Sequence, residues 1–235
     1  MRLYFSILIF LLMFSFTFAQ DDAKEISEVD SLYREDQIYL NITYNILQNR
    51  PEGIRRTKFS PGVAFGFLRD MPINKDRTWS IGLGLGFSTC VYENNLYIYD
   101  LNTVGTGITR NYEPISADTY YDKNNISLNY IDIPLEIRWR TSTHDSHKFW
   151  RVYTGFKFSY LVRDRYVFTN DVVTNVIKNN PDINKFQYGC YVTAGWNSVN
   201  IYAYYSLNPI FKSGTIVGKA NDISTLNLGF MFYIL

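Results

Sequence analysis

The sequence is poor in the residues on which several protein classes depend. Its 235 residues include only two cysteines, too few for a disulfide-stabilised scaffold or for a zinc site built on thiolates. Lysine and arginine number 23 against 22 aspartates and glutamates, which leaves no electrostatic field for nucleic acid, so no nucleic-acid partner is expected. Seven prolines and 14 glycines exclude collagen-like and low-complexity chains.

Aromatic side chains, in contrast, are abundant. They make up 17% of the chain, with 20 tyrosines, 17 phenylalanines and 4 tryptophans, whereas charged residues are only 19%. This composition is typical of β-rich chains and of chains whose aromatic residues lie at a membrane interface. It also excludes a disordered chain. We therefore expect a single folded domain.

The first nineteen residues predict a signal peptide. Arg2 supplies a positive charge, residues 3–18 are nearly all apolar, and Thr17-Phe18-Ala19 offers the small residues that a signal peptidase reads. We expect cleavage after Ala19. A retained membrane helix fits less well because the apolar stretch is short. Residues 20–37 are strongly acidic, and we expect them to form a solvated periplasmic segment ahead of the domain.

From residue 38 to residue 235 the apolar residues recur at every second position. Residues 79–88 show this best, because Trp79, Ile81 and Leu83 alternate with serine and glycine, and glycines spaced by two exclude a helix. The same pattern predicts eight strands. They lie near residues 38–47, 58–69, 78–91, 126–141, 148–163, 185–196, 199–208 and 223–235.

The connections between these strands alternate in length. Residues 70–77, 142–147 and 197–198 form short turns, whereas the other connections are longer, with 92–125 the longest. Each strand has about the 9 to 11 residues that a tilted strand needs to cross a bilayer. We therefore predict an all-β fold, an eight-stranded antiparallel up-and-down transmembrane β-barrel of the outer-membrane type.

Aromatic residues mark the two expected membrane interfaces. Four tryptophans share the parity of the apolar face and lie beside the short turns, so we expect them to form one ring, the interface girdle. They are Trp79, Trp139, Trp150 and Trp196. About ten residues further along the tilted strands, the opposite interface should fall at Phe87, Tyr160, Tyr188 and Tyr205.

No single strand shows which face of the barrel is inside, since a soluble barrel would turn its apolar face inward. Size decides, because eight strands enclose a lumen that side chains just fill and the bulky face is too large for it. The apolar face should therefore meet outer-membrane lipid. The charged face should form a compensated network in the lumen. Its expected members are Asp132, Glu136, Arg138, Arg151 and Lys157.

Two further expectations concern single residues. Pro134 lies in the middle of a predicted strand, where it removes a ladder hydrogen bond, and we expect a β-bulge there. Cys90 should face the lumen and Cys190 the lipid, so the two are expected to pack as apolar side chains without forming a disulfide.

Several stretches resemble the PorT family of small Bacteroidota outer-membrane barrels. They are Phe59-Ser60-Pro61-Gly62, the glycines 82, 84 and 86, Tyr130 to Arg138, Phe149 to Gly155 and Gly229 to Leu235. The resemblance implies a non-enzymatic accessory subunit or assembly factor in type IX secretion, with outer-membrane or periplasmic proteins as partners and no cofactor. Two alternatives stay open: a subunit of the barrel-assembly machinery, and a stand-alone pore or ligand-binding barrel.

Little in the sequence favours catalysis. His144 and His147 lie in a predicted short turn on the periplasmic side, away from the outer rim where barrel hydrolases act. A weak metal site there is less expected than a polar turn. We therefore predict no catalytic, cofactor-binding or metal-ligating residues.

The longest connection, residues 92–125, is rich in tyrosine. Solvated loops seldom carry so many aromatic residues, so this one either folds over the barrel mouth or forms a partner-binding surface. The sequence does not decide between these. The tyrosines are Tyr92, Tyr97, Tyr99, Tyr112, Tyr120 and Tyr121.

Overall fold

The structure, a computed structural model, describes residues 35–103, 107–141, 149–213, 215–216, 219–220 and 222–234. The predicted signal peptide, residues 20–34 of the acidic segment, and both histidines lie outside these ranges. Within the described residues the chain forms strands and no helix long and apolar enough to cross a membrane.

Thirteen strands occur in the described part of the chain. They are β1 (Gln37–Gln48), β2 (Pro61–Pro72), β3 (Trp79–Glu93), β4 (Leu96–Thr103), β5 (Gly107–Pro114), β6 (Lys123–Arg140), β7 (Trp150–Thr169), β8 (Thr174–Lys178), β9 (Phe186–Trp196), β10 (Val199–Ser206), β11 (Thr215–Ile216), β12 (Lys219–Ala220) and β13 (Ser224–Ile234).

Eight of these strands close into an antiparallel barrel. Their order around the wall is β1, β2, β3, β6, β7, β9, β10 and β13, and β13 pairs back to β1 from Ile38–Ile234 to Gln48–Ser224. Each corresponds to one of the eight strands predicted from the alternation. The predicted eight-stranded up-and-down barrel is confirmed.

The other five strands lie in the longer connections. β4 and β5 form a hairpin between β3 and β6, and β11 pairs with β5 in parallel through Ile216 and Tyr112. β8 returns along the outer end of β7, which runs to Thr169, well past its predicted end at residue 163. In the described residues, three of the four connections at this end of the barrel therefore contain strands of their own, and the β1–β2 connection does not.

The prediction of a β-bulge at Pro134 is wrong. Pro134 pairs in register with Lys157, and the register between β6 and β7 shifts instead between Asn129 and Tyr130, so that Val162 is the extra residue on β7. Towards β3, the ladder lacks the pairs at Ile133 and Pro134 but resumes in the same register. The proline thus removes ladder pairing without inserting a residue, because it lacks only the N–H donor.

The alternation of burial shows which face of the wall is inside. Along β3, Ile81, Leu83 and Leu85 are exposed on the outer surface, whereas Ser80 is fully buried. The same pattern, apolar outward and polar inward, holds along the other long strands. The barrel is therefore the inverse of a soluble one, in which apolar side chains would fill the lumen.

Glycines make room for large interior side chains. Gly66 of β2 and Gly86 of β3 are cross-strand partners, and the ring of Tyr39 occupies the space that they leave. A Cβ added at Gly66 would lie 2.7 Å from Cε1 of Tyr39, and one added at Gly86 would overlap the Tyr39 hydroxyl. A large side chain on one strand thus packs against glycines on the two strands that follow it.

The two cysteines are both free. Cys90 is buried inside the barrel, and Cys190 lies half-exposed on the outer face, where it pairs across the strands with Phe156 and Tyr205. The side chains point to opposite sides of the wall, and each packs as a small apolar group.

Candidate functional site in the barrel interior and cap

Asp70 is the centre of a charge cluster at the short-turn end of the barrel. Its two carboxylate oxygens accept hydrogen bonds from Arg138 Nη1 at 3.1 Å and from Arg140 Nη2 at 2.9 Å. The Ser80 hydroxyl donates a further bond at 2.7 Å. All four side chains are fully buried, so each charge depends on these partners instead of on water.

Glu136 extends the cluster up the lumen. It accepts a hydrogen bond from Arg138 Nε at 2.7 Å and another from the Tyr191 hydroxyl at 2.5 Å. The Arg138 guanidinium also lies 4.9 Å from the ring centroid of Tyr153, a favourable cation–π position. Arg138 therefore joins two carboxylates and one aromatic face and fixes their relative positions.

Glu35 completes the cluster from outside the predicted barrel. Its carboxylate lies 3.9 Å from Arg151 Nη2, and the Arg151 guanidinium lies 4.4 Å from the ring centroid of Phe149. Glu35 and Gln37 are buried, although both belong to the segment 20–37 that we expected to be solvated in the periplasm. The end of that segment enters the barrel because a buried arginine requires a counter-charge.

A second, smaller cluster lies about halfway along the lumen. Asp132 accepts a hydrogen bond from the Ser159 hydroxyl at 2.5 Å, and its other carboxylate oxygen is 3.8 Å from Lys157 Nζ. The ammonium group lies 4.3 Å from the ring centroid of Tyr204. Two interior cavities border this cluster, with volumes of about 10 and 20 Å³, each room for about one water molecule.

The structure thus places all five residues of the predicted lumen network inside the barrel, divided between the two clusters. Sequence reasoning missed Asp70, Arg140 and Glu35. A signal for two of them was present, since Asp70 has the parity of the inward Leu68, and Arg140 that of Arg138. The predicted turn 70–77 includes Asp70, whereas β2 continues through it.

The opposite end of the barrel is closed by a cap, defined here as residues 94–103, 107–122, 170–178 and 207–213. Its strand β4 buries Leu96 and Ile98 against the outer ends of the barrel strands, in one apolar cluster that includes Leu128 and Leu161. Asn175 Nδ2 donates to the Ile98 carbonyl at 3.0 Å, which ties β8 to β4. The connection 92–125 therefore folds over the mouth.

The tyrosines of this connection differ in exposure. Tyr92 and Tyr112 are buried, Tyr97, Tyr99 and Tyr121 are half-buried, and Tyr120 is 68% exposed. The six predicted partner-loop residues therefore do not form one surface. Tyr112 packs inside the cap and Tyr92, on β3, packs beneath it in the same apolar cluster, so only the exposed tyrosines remain for contact with another molecule.

Polar contacts fix the outer surface of the cap. Arg110 donates two hydrogen bonds to Asp100, at 2.7 and 2.9 Å, and these bonds hold the pKa of Asp100 below its ordinary value. The Tyr112 hydroxyl donates to Asp182 at 2.7 Å. Burial, with that bond, raises the pKa of Tyr112, so this hydroxyl keeps its proton at neutral pH.

Comparison with known families agrees with this geometry. A family model described as the outer membrane protein beta-barrel domain matches residues 18–212. The chain belongs to this family. A search of curated proteins finds no match. The chain is therefore an outer-membrane barrel, and its exposed apolar wall faces hydrocarbon.

The tryptophans of this outer-membrane barrel lie where an interface girdle would place them. Trp79 and Trp139 are cross-strand partners, and so are Trp150 and Trp196, whose ring centroids are 5.4 Å apart. All four are exposed on the wall beside the short-turn end. Of the residues expected at the other interface, Tyr160, Tyr188 and Tyr205 are exposed on the wall and Phe87 is half-buried.

The membrane-facing wall of the barrel also carries a groove of about 600 Å³ between β9, β10 and β13. Two alanines, Ala194 and Ala203, form its floor, because their neighbours Ile201 and Phe230 project further from the wall. The groove is lined by Val192, Ala194, Ile201, Tyr202, Ala203, Leu228, Gly229 and Phe230. The small side chains here allow close approach of another membrane segment.

Proposed function

We propose that this outer-membrane barrel is a non-enzymatic accessory subunit or assembly factor of a protein-transport complex, with type IX secretion the favoured route. The observation that carries the proposal is the filled interior beneath a folded cap. With the lumen occupied by paired charges and the mouth covered, the surfaces left for function are the wall and the outside of the cap. Both suit contact with other proteins and neither suits passage of a solute.

The resemblance to the PorT family supports the choice of type IX secretion. The stretch from Tyr130 to Arg138 lies on β6 and carries one acid of each cluster, and the stretch from Phe149 to Gly155 leads into β7 and carries Arg151. The motifs on which the resemblance rests therefore build the barrel interior. They support kinship of the whole barrel more strongly than they support a particular partner.

The position of the mid-lumen cluster fits a non-enzymatic role. Asp132, Ser159 and Lys157 bring a carboxylate, a hydroxyl and an amine together, but the three lie in the closed interior, where neither lipid nor peptide can reach them. Catalysis on outer-membrane barrels requires such groups at the rim, in contact with substrate.

A stand-alone pore is the second candidate, and the interior charges are its only support. We expect the purified barrel to show no steady ion conductance in planar bilayers, because the interior cavities hold about one water each. Conductance that falls when Lys157 is replaced by methionine would show instead that ions pass the mid-lumen cluster, and it would favour the pore.

The partner-binding surface should lie on the exposed apolar residues of the cap. Tyr120 is 68% exposed, Val172 at the tip of the β7–β8 hairpin is 87% exposed, and Leu101 is 47% exposed. Protein-binding surfaces are enriched in aromatic side chains, so Tyr120 and its exposed apolar companions are the residues to test. On the wall, the groove floored by Ala203 offers a lateral contact within the membrane.

Two variants test these contacts by co-purification in mild detergent followed by mass spectrometry. Tyr120→Ser combined with Val172→Ser should remove a partner that binds the cap, and Ala203→Phe should remove one that fills the groove. Ile73→Ser is the matched control, since Ile73 is 62% exposed but lies in a short turn at the opposite end. Components of the type IX apparatus should be lost from one variant and kept in the control.

Two outcomes would contradict the proposal. Recovery of barrel-assembly components in place of type IX components would assign the chain to outer-membrane protein insertion. Unchanged recovery of every partner from both variants would show that neither the cap nor the groove is the contact surface.

A further inference from the structure

Three cations lie together on the outside of the barrel, just beyond the membrane. Past the bulge at Val162, the side chains of β7 alternate again. Asp164 is buried, whereas Arg163 and Arg165 are exposed on the outside. On the neighbouring strand β8, Lys178 is the direct cross-strand partner of Arg165 and is exposed. Cross-strand partners project from the same face of a sheet, so the three side chains form one surface, here called the basic patch.

No acidic side chain compensates the basic patch. Among the described residues, none of its three members forms an ion pair. On the other side of β7, Arg163 and Arg165 pair with the neutral Asn129 and Ser127. The nearest acid in sequence, Asp164, faces inward and accepts the backbone N–H of Asn180 at 2.8 Å.

An uncompensated pair of like charges is unfavourable. Lys178 and Arg165, placed directly opposite each other, repel and so weaken the strand pairing on which they lie. Asp171, at the tip of the same hairpin, lies beyond the last pair of the ladder, Thr169 with Thr174. A bound anion would remove this repulsion, and the arrangement is therefore what an anion-binding surface requires.

The height of the basic patch identifies the source of the anion. Tyr160 and Phe186, exposed on the wall with ring centroids 5.2 Å apart, lie below it at the outer interface. Arg163 and Arg165 follow Tyr160 by a few residues on the same strand, which places them about 7 to 12 Å higher for a tilted strand. Lipid headgroups occupy this level of a bilayer.

We infer that Arg163, Arg165 and Lys178 bind the phosphate groups of a lipid in the outer leaflet. The two guanidinium groups can each donate two parallel hydrogen bonds to a phosphate, and the ammonium adds a point charge. The acyl chains of such a lipid would lie along the aromatic wall directly below. This continuity of cationic and lipid-facing surface favours a lipid over free phosphate, and the inference does not depend on the transport role.

The test measures binding of diphosphorylated lipid A to the refolded chain in a neutral detergent, by native mass spectrometry or by titration with a fluorescent lipid. Replacing Arg163, Arg165 and Lys178 together by glutamine should weaken binding on the order of a hundredfold, since each surface cation contributes roughly a factor of five. The same lipid with its phosphates removed should bind the unaltered chain weakly. All three positions are exposed, so the variant should fold normally, which gel mobility of the unheated protein verifies.

A second triple variant is the matched control. Arg50→Gln, Arg55→Gln and Lys212→Gln remove the same charge from exposed positions elsewhere at the outer end and should leave lipid binding unchanged. An equal loss of lipid affinity in the two triple variants would show that only net charge matters. That result would overturn the proposed lipid site. Retained binding in the first variant would also overturn it. Displacement of the lipid by inorganic phosphate at equal concentration would show a free-anion site in place of a lipid site.

Discussion

Replacing Asp70 by alanine should destabilise the barrel by about 3–5 kcal/mol, the range seen when one partner of a buried ion pair is removed. Asp70 pairs with two arginines at once, at 3.1 Å from Arg138 and 2.9 Å from Arg140. Neither guanidinium reaches water, because both side chains are fully buried. Without the carboxylate, two positive charges would face each other in a medium of low dielectric constant.

Urea unfolding of the refolded barrel in detergent micelles, followed by tryptophan fluorescence, measures this loss. Asp70→Asn should be destabilised by a smaller amount, since the amide oxygen can still accept one hydrogen bond but supplies no charge. Arg69→Gln is the control: Arg69 also pairs with an acid, Asp36 at 3.0 Å, but its side chain is 49% exposed. Loss of such a surface pair should change stability by less than about 1 kcal/mol. Equal stability of Asp70→Ala and the unaltered chain would mean that the interior charges are hydrated.

Replacing Ile98 by alanine should loosen the cap by about 2–5 kcal/mol while leaving the barrel closed. Ile98 is completely buried in the apolar cluster that joins the hairpin β4–β5 to the outer ends of the barrel strands. The hydrogen bond from Asn175 Nδ2 to the Ile98 carbonyl does not depend on the Ile98 side chain. The loss should therefore come from the removed apolar contacts and the cavity that they leave.

Hydrogen exchange separates the cap from the barrel. In Ile98→Ala the amides of β4 and β5 should exchange faster by several orders of magnitude, whereas those of β1 and β13 should not change. Leu101→Ala, on the same strand but 47% exposed, should leave exchange in the cap nearly unaltered. Faster exchange throughout the barrel would instead show that cap and barrel unfold as one unit.

The strands of the barrel could be predicted from the sequence because lipid and lumen impose opposite requirements on alternate residues. Ile81, Leu83 and Leu85 meet hydrocarbon while Gly82 and Gly84 make room inside, and this contrast repeats at every second position. The strands of the cap lack the contrast. In β4, Leu96 and Ile98 are buried while Tyr97 packs at 4.8 Å from Phe168 on the other face, so both faces are apolar.

The interior was predictable in outline only. Parity placed Asp132 and Lys157 on the same side of the wall, but the partner of each charge depends on strand register, which a period of two does not define. Glu35 could not be paired with Arg151 in advance, because no alternation precedes β1 to show which way Glu35 points. The bulge at Val162 was missed for the same reason, since it follows from the pairing of β6 with β7 and from no feature of either strand alone.

The barrel is sealed by the pairing of its first strand with its last. Every rung from Ile38–Ile234 to Gln48–Ser224 joins the two ends of the domain, so the cylinder stays open until the final strand is available. Until then β1 presents unsatisfied amides along its whole length, a template for polymerisation with other chains. Contacts between residues so distant in sequence form slowly. The newly exported polypeptide must therefore be kept from associating with other copies until β13 pairs with β1.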